Sequence, residues 1–121
     1  MQPLPVVLLQ SNPATTKSLL ATLDKSFHFV RQAPSLGDLR SCLAKHPKGV
    51  AILDLEVASL LDVQTLSRDF PEAKIICNHR LADEQMWTAT LGAGAADCCP
   101  SNDPRAILRA ALQQLAARKA A

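Results

Sequence analysis

The sequence predicts an α/β fold, a doubly wound parallel sheet with helices on both faces, and three observations carry that expectation. Five short apolar runs alternate with five segments of helical character, the pattern of strand and crossover helix repeated along the chain. Runs such as Gly49-Val50-Ala51-Ile52-Leu53 are continuously apolar, as strands covered on both faces are. Aromatic residues make up only 3% of the chain, so its core rests on Leu, Ile, Val and Ala.

The first strand is Val6-Val7-Leu8-Leu9. It ends at Gln10-Ser11-Asn12-Pro13, where Asn12 suits a helix cap and Pro13 a first helical turn. A helix follows from Ala14 to about Lys25, with Leu19, Leu20 and Leu23 at helical spacing. Phe27-His28-Phe29-Val30 reads as the second strand, and 34–38 as a loop leading to a helix that carries Leu39, Cys42 and Leu43. His46-Pro47-Lys48-Gly49 ends it.

Val50 to Leu53 form the third strand, with Asp54 at its tip. The next helix runs through Leu60, Leu61, Val63 and Leu66 to Phe70-Pro71. The fourth strand, Ala73 to Cys77, closes on Asn78-His79, and a helix from about Ala82 to Leu91 is stopped by Gly92 and Gly94. A fifth strand, Ala96 to Cys99, precedes a final helix from Arg105 to about Lys119, capped by Asp103 and opened by Pro104. Right-handed crossovers and this length select the flavodoxin-like order 2-1-3-4-5, in one domain spanning 1–121.

Composition sets further bounds. A chain of 121 residues, 48% hydrophobic and 20% charged, buries a core without disulfides or metals. A net charge of +2 gives no argument for direct nucleic-acid binding. The apolar stretch Leu4 to Leu9 lacks a basic flank, contains Pro5 and is too short to span a bilayer, so a cytoplasmic, membrane-free protein is expected. Cys42, Cys77, Cys98 and Cys99 follow no disulfide spacing, and Cys98-Cys99 reads as two reduced side chains on opposite faces of one strand. His28, His46 and His79 share no metal-ligand spacing, and no metal site is expected.

Asp54 is the leading site candidate, because ligands of open α/β sheets gather at the carboxyl ends of the strands. Its neighbours at the other strand ends are Gln10, Ser11, Asn78 and Ser101, polar and uncharged.

With these residues in place, the chain resembles the receiver domain of bacterial two-component response regulators over nearly its whole length. The resemblance rests on Val7 to Pro13, on Ala51-Ile52-Leu53-Asp54-Leu55, on Ile75-Ile76-Cys77-Asn78, and above all on Gly94-Ala95-Ala96-Asp97-Cys98. It implies that Asp54 occupies the phosphoacceptor position, taking a phosphoryl group from a phosphohistidine. The family supports that transfer with an acid pair holding Mg²⁺, a hydroxyl and a lysine, because developing phosphate charge must be neutralised. Here the acid pair reads Gln10-Ser11, the hydroxyl position Asn78, the lysine position Ser101, and the switch-aromatic position Cys98.

The resemblance thus implies a degenerate, pseudo-receiver signalling module, not an enzyme. Such a module is expected to need no cofactor, to hold Mg²⁺ weakly at best, and to work by protein–protein interaction. A histidine kinase or an effector domain is the expected partner, with a homodimer as a further form. Trp87, Arg105 and Arg109, with Arg118, mark the interaction face, since Trp and Arg are enriched at binding hot spots. Two other readings stay open: a conventional receiver phosphorylated on Asp54, and a small flavodoxin-like ligand-binding or catalytic domain using the same strand tips.

Overall fold

A computed structural model describes residues 4–120. Its elements are β1 (Val6–Leu9), α1 (Pro13–Leu23), β2 (Val30–Gln32), α2 (Leu36–Lys45), β3 (Val50–Asp54), α3 (Leu60–Asp69), β4 (Lys74–His79), α4 (Glu84–Ala93), β5 (Asp97–Pro100) and α5 (Pro104–Ala120). The five strands form one parallel sheet in the order β2-β1-β3-β4-β5, the flavodoxin-like arrangement that the alternation predicts.

The continuous apolar runs are explained by two cores, one on each face of the sheet. Val7, Leu9, Ala51, Leu53, Ile75, Cys77 and Cys98 point to the side covered by α2, α3 and α4. Val6, Leu8, Val50, Ile52, Ile76 and Cys99 point to the side covered by α1 and α5, where Leu19, Leu23, Ile107 and Leu115 meet them. Strand period two therefore sends Cys98 and Cys99 to opposite cores, and both thiols are free.

The helix starts follow local chemistry. The Asn12 side chain accepts hydrogen bonds from the amides of Ala14 and Thr15, so Pro13 opens α1 at no cost in lost donors. Ser59 and Asp62 form a reciprocal capping box at α3. Asp103 caps α5 through the amide of Ala106.

Several boundaries differ from the sequence expectation. The second strand is Val30–Gln32 and not 27–30, because Phe27 is fully buried just after the turn that ends α1, its amide bonded back to the Leu23 carbonyl, while Phe29 is 64% exposed. Ser35 caps α2, which places Gly37 and Asp38 in its first turn and not in a loop. α4 runs through Gly92 and stops at Gly94, whose φ of 111° lies where a side chain is strained and whose missing Cβ would collide with Ser67. β4 continues through Asn78 and His79, and β5 is shifted by one residue to include Pro100. Within α3, Val63 and Leu66 are buried, but Leu60 and Leu61 face outward.

Among the described residues no helix is long and apolar enough to cross a membrane.

Candidate functional site at the end of the central strands

β3 is the middle strand, and register places Leu9 beside Leu53 and Asp54 beside Asn78. The chain leaving β1 therefore delivers Gln10 and Ser11 to the carboxylate at the tip of β3. Asp54 is only 2% exposed, although it ends a strand. The turn after it folds back, the amides of Val57 and Ala58 both bonding to the Asp54 carbonyl.

Its carboxylate is fully engaged. Oδ1 accepts the amide of Glu56 at 2.9 Å, and Oδ2 accepts the amide of Ser11 at 2.9 Å and the Ser11 hydroxyl at 2.5 Å. All three donors are uncharged, so hydrogen bonds stand in for the solvation that burial removed. Asn78 takes no part in this set.

A second network lies alongside. The amides of Gln10 and Asn78 pair reciprocally, Gln10 Nε2 donating to Asn78 Oδ1 at 2.8 Å and Asn78 Nδ2 donating to Gln10 Oε1 at 3.0 Å. Asn78 Nδ2 also donates to Ser101 Oγ at 2.8 Å, drawing in the residue just after β5. Asn78 is fully buried and Ser101 nearly so. Among the described residues no buried side-chain nitrogen or oxygen lacks a partner. The structure sorts Asp54 and the four residues at the strand ends into a pair, Asp54 with Ser11, and a triad, Gln10, Asn78 and Ser101.

Sequence reasoning missed Arg80, whose position one residue beyond β4 was the only signal. Its Nε donates to Glu56 Oε1 at 2.7 Å, tying the loop after β4 to the loop after β3. Arg80, Glu56 and Asp54 line a cleft of 590 Å³ together with Ser11, Ser101 and Asn102. The cleft carries two carboxylates and one guanidinium already in use, a balance that opposes a dianionic phosphate.

Mg²⁺ does not fit this donor set. The ion sheds water reluctantly and takes oxygen ligands that normally include one or two free carboxylates. The Asp54 oxygens already accept three hydrogen bonds, Ser11 offers a neutral hydroxyl where a second carboxylate would be needed, and Glu56 is bound to Arg80. Among the described residues no three His, Cys, Asp or Glu side chains gather as a metal-binding group.

The other candidates lie away from Asp54. Cys98 is buried on the α4 side of the sheet, and desolvation raises its thiol pKa, opposed in part by a hydrogen bond with Thr90. Burial pushes Cys77 and Cys99 up to about 12. His79 ends β4 and accepts the amide of Leu81 on Nδ1, a structured position and not a free loop. Trp87 is 45% exposed and bonds Asp97 Oδ1 at 3.1 Å, so α4 is tied to the start of β5. Arg105 and Arg109 are exposed on α5, whose core residues pack on the opposite face of the sheet from those of α4. The side chain of Arg118 lies outside the described residues.

No protein-family model and no curated protein matches the chain. Solved structures do. The signal receiver domain of the putative response regulator NarL from Mycobacterium tuberculosis aligns with a TM-score of 0.78 at 17% identity, over 93% of this chain and 96% of that one. A response regulator from Thermotoga maritima gives 0.78 at 18% identity, over 91% and 96%. A LuxR-family two-component response regulator from Aurantimonas sp. SI85-9A1 gives 0.81 at 15% identity, over 96% and 87%. With its five-stranded order and its acid at the tip of β3, the chain has the fold of response-regulator receiver domains.

Proposed function

We propose that the chain is a receiver-like regulatory module of a two-component type pathway that acts by protein–protein interaction, with Mg²⁺-dependent phosphorylation at Asp54 weakened or lost. The observation that carries this reading is the double hydrogen bond from Ser11 to Asp54 Oδ2. A phosphoacceptor must present a free carboxylate oxygen to phosphorus, with cations placed to absorb the incoming charge. Here the oxygen is capped by neutral donors, and the positions that would supply metal ligands and an ammonium hold Gln10, Ser11 and Ser101.

The same features argue against an enzymatic role, since the strand tips satisfy one another and leave no nucleophile beside a base. A histidine kinase or effector domain is the partner class this fold implies, with a second copy of the chain as the other. A cytoplasmic setting without direct nucleic-acid or membrane contact fits the modest charge of +2.

The test is incubation with Mg²⁺ and acetyl phosphate, followed by intact-mass measurement. The expected result is an unmodified chain. A phosphoryl adduct that disappears in Asp54→Asn would establish the conventional phosphoacceptor in its place.

A further inference from the structure

β2 is an edge strand of only three residues, bonded to β1 on one side. The carbonyl of Phe29 accepts the Val6 amide at 2.8 Å and the amide of Ala33 donates to the Leu8 carbonyl at 2.7 Å. Backbone groups alternate along a strand, so Arg31 shares that inward direction, and the N–H and C=O of Val30 and Gln32 point away from the sheet. They form a short template with two donors and two acceptors. The opposite edge differs, because β5 contains Pro100, which has no amide hydrogen to offer.

Beside the open edge, between β2 and α2, lies a pocket of 290 Å³. Its floor is apolar, with Val7, Ala33 and Cys42. Its rim brings Arg31 from β2 together with Lys45 and His46 from the end of α2. Among the described residues these three side chains make no ion pair and no hydrogen bond. The one carboxylate lining the pocket, Asp38, is bonded to the Ser35 hydroxyl. The C-terminal dipole of α2 favours the Lys45 ammonium at that helix end without any ligand. It does not account for Arg31, which comes from another element and turns onto the same rim.

We infer that the β2 edge and the adjoining pocket bind an extended acidic peptide segment by strand addition, with a Glu or Asp side chain of that segment seated among Arg31, Lys45 and His46. Main-chain bonds to Val30 and Gln32 supply registration, and the cationic rim supplies selectivity. A second copy of this chain is the poorer occupant, because pairing two β2 edges would bring like charges of Arg31 together. The inference is independent of the state of Asp54, which lies at another part of the molecule.

The test uses the whole chain and two fluorescein-labelled probes, Ser-Val-Glu-Val-Glu-Val-Ser and its lysine counterpart Ser-Val-Lys-Val-Lys-Val-Ser. Anisotropy reads affinity, and amide NMR reads location. The acidic probe is expected to bind, to shift the Val30 and Gln32 amides and to slow their hydrogen exchange. Arg31→Glu combined with Lys45→Glu should weaken it by about tenfold or more. Gln32→Pro removes one outward donor at an edge position that tolerates proline, and should abolish binding while the thermal transition persists. Equal binding of both probes, an unperturbed β2, or a Gln32→Pro variant that binds as before would each overturn the inference. So would free succinate occupying the pocket while the acidic probe leaves the Val30 and Gln32 amides unmoved, since that marks a small-anion site.

Discussion

The hydroxyl of Ser11 lies 2.5 Å from Oδ2 of Asp54, and the Ser11 amide meets the same oxygen at 2.9 Å. One residue thus supplies two of the three donors to a carboxylate that is almost wholly removed from water.

Ser11→Ala should therefore destabilise the chain by about 1.5–3 kcal/mol, the usual worth of a hydrogen bond to a charged group. Urea denaturation measures it. The amide donor survives the substitution, so the fold should persist. An unchanged midpoint would mean that water replaces the hydroxyl without loss.

Ser11→Asp tests the metal argument from the other side. A second carboxylate against Asp54 adds like-charge repulsion and removes a donor, so the melting temperature should fall in metal-free buffer. Mg²⁺ should recover part of the loss in this variant and leave the parent chain unmoved. Equal stabilisation of both proteins by Mg²⁺ would show that the parent site already holds the ion.

Asn78 sits at the centre of the second network, so Asn78→Ala should strand both the Gln10 amide and the Ser101 hydroxyl. A loss of about 2–4 kcal/mol is expected from the cavity and the lost bonds together. Ser101→Ala, which removes one acceptor, should cost about 1 kcal/mol. A double-mutant cycle between positions 10 and 78 should return a coupling above about 0.5 kcal/mol, since the two amides bond each other directly.

The buried thiols set an alkaline limit. Cys77 and Cys99 are raised by desolvation from 9.0 to about 12, so the folded state holds their protons more tightly than the unfolded chain does. Stability from this source is fully present below pH 9 and is lost as pH rises from there toward about 12. Cys77→Val and Cys99→Val should flatten that decline in denaturation midpoints measured across this range. At neutral pH the partly exposed Cys42 should alkylate first with iodoacetamide, and the three buried thiols only on unfolding.

Apolar periodicity alone reached most of the architecture. A run such as Val50 to Leu53 has no polar face to give to water, and helices with Leu19 and Leu23 or Ile107 and Leu115 on one stripe must cover it. Capping chemistry at Asn12 and Asp103 was equally readable, because a cap depends on residues within one turn. The second strand was misplaced for the complementary reason. Phe27 and Phe29 alternate like strand residues, but the register with β1 starts at Val30, and only the partner strand decides it.

At the site, strand-end positions read from the chain place an acid at the end of a central strand with polar neutral residues at the flanking strand ends. Which of these groups bond one another emerges only once the strands are packed. Asn78 sits beside Asp54 on the neighbouring strand, yet its side chain bonds Gln10 and Ser101 and leaves Asp54 to Ser11 and the Glu56 amide. The Arg80–Glu56 tie and the outward edge of β2 have the same origin. Strand order follows from short-range patterns of burial, whereas a hydrogen bond depends on distances of a few tenths of an ångström between segments far apart in the chain.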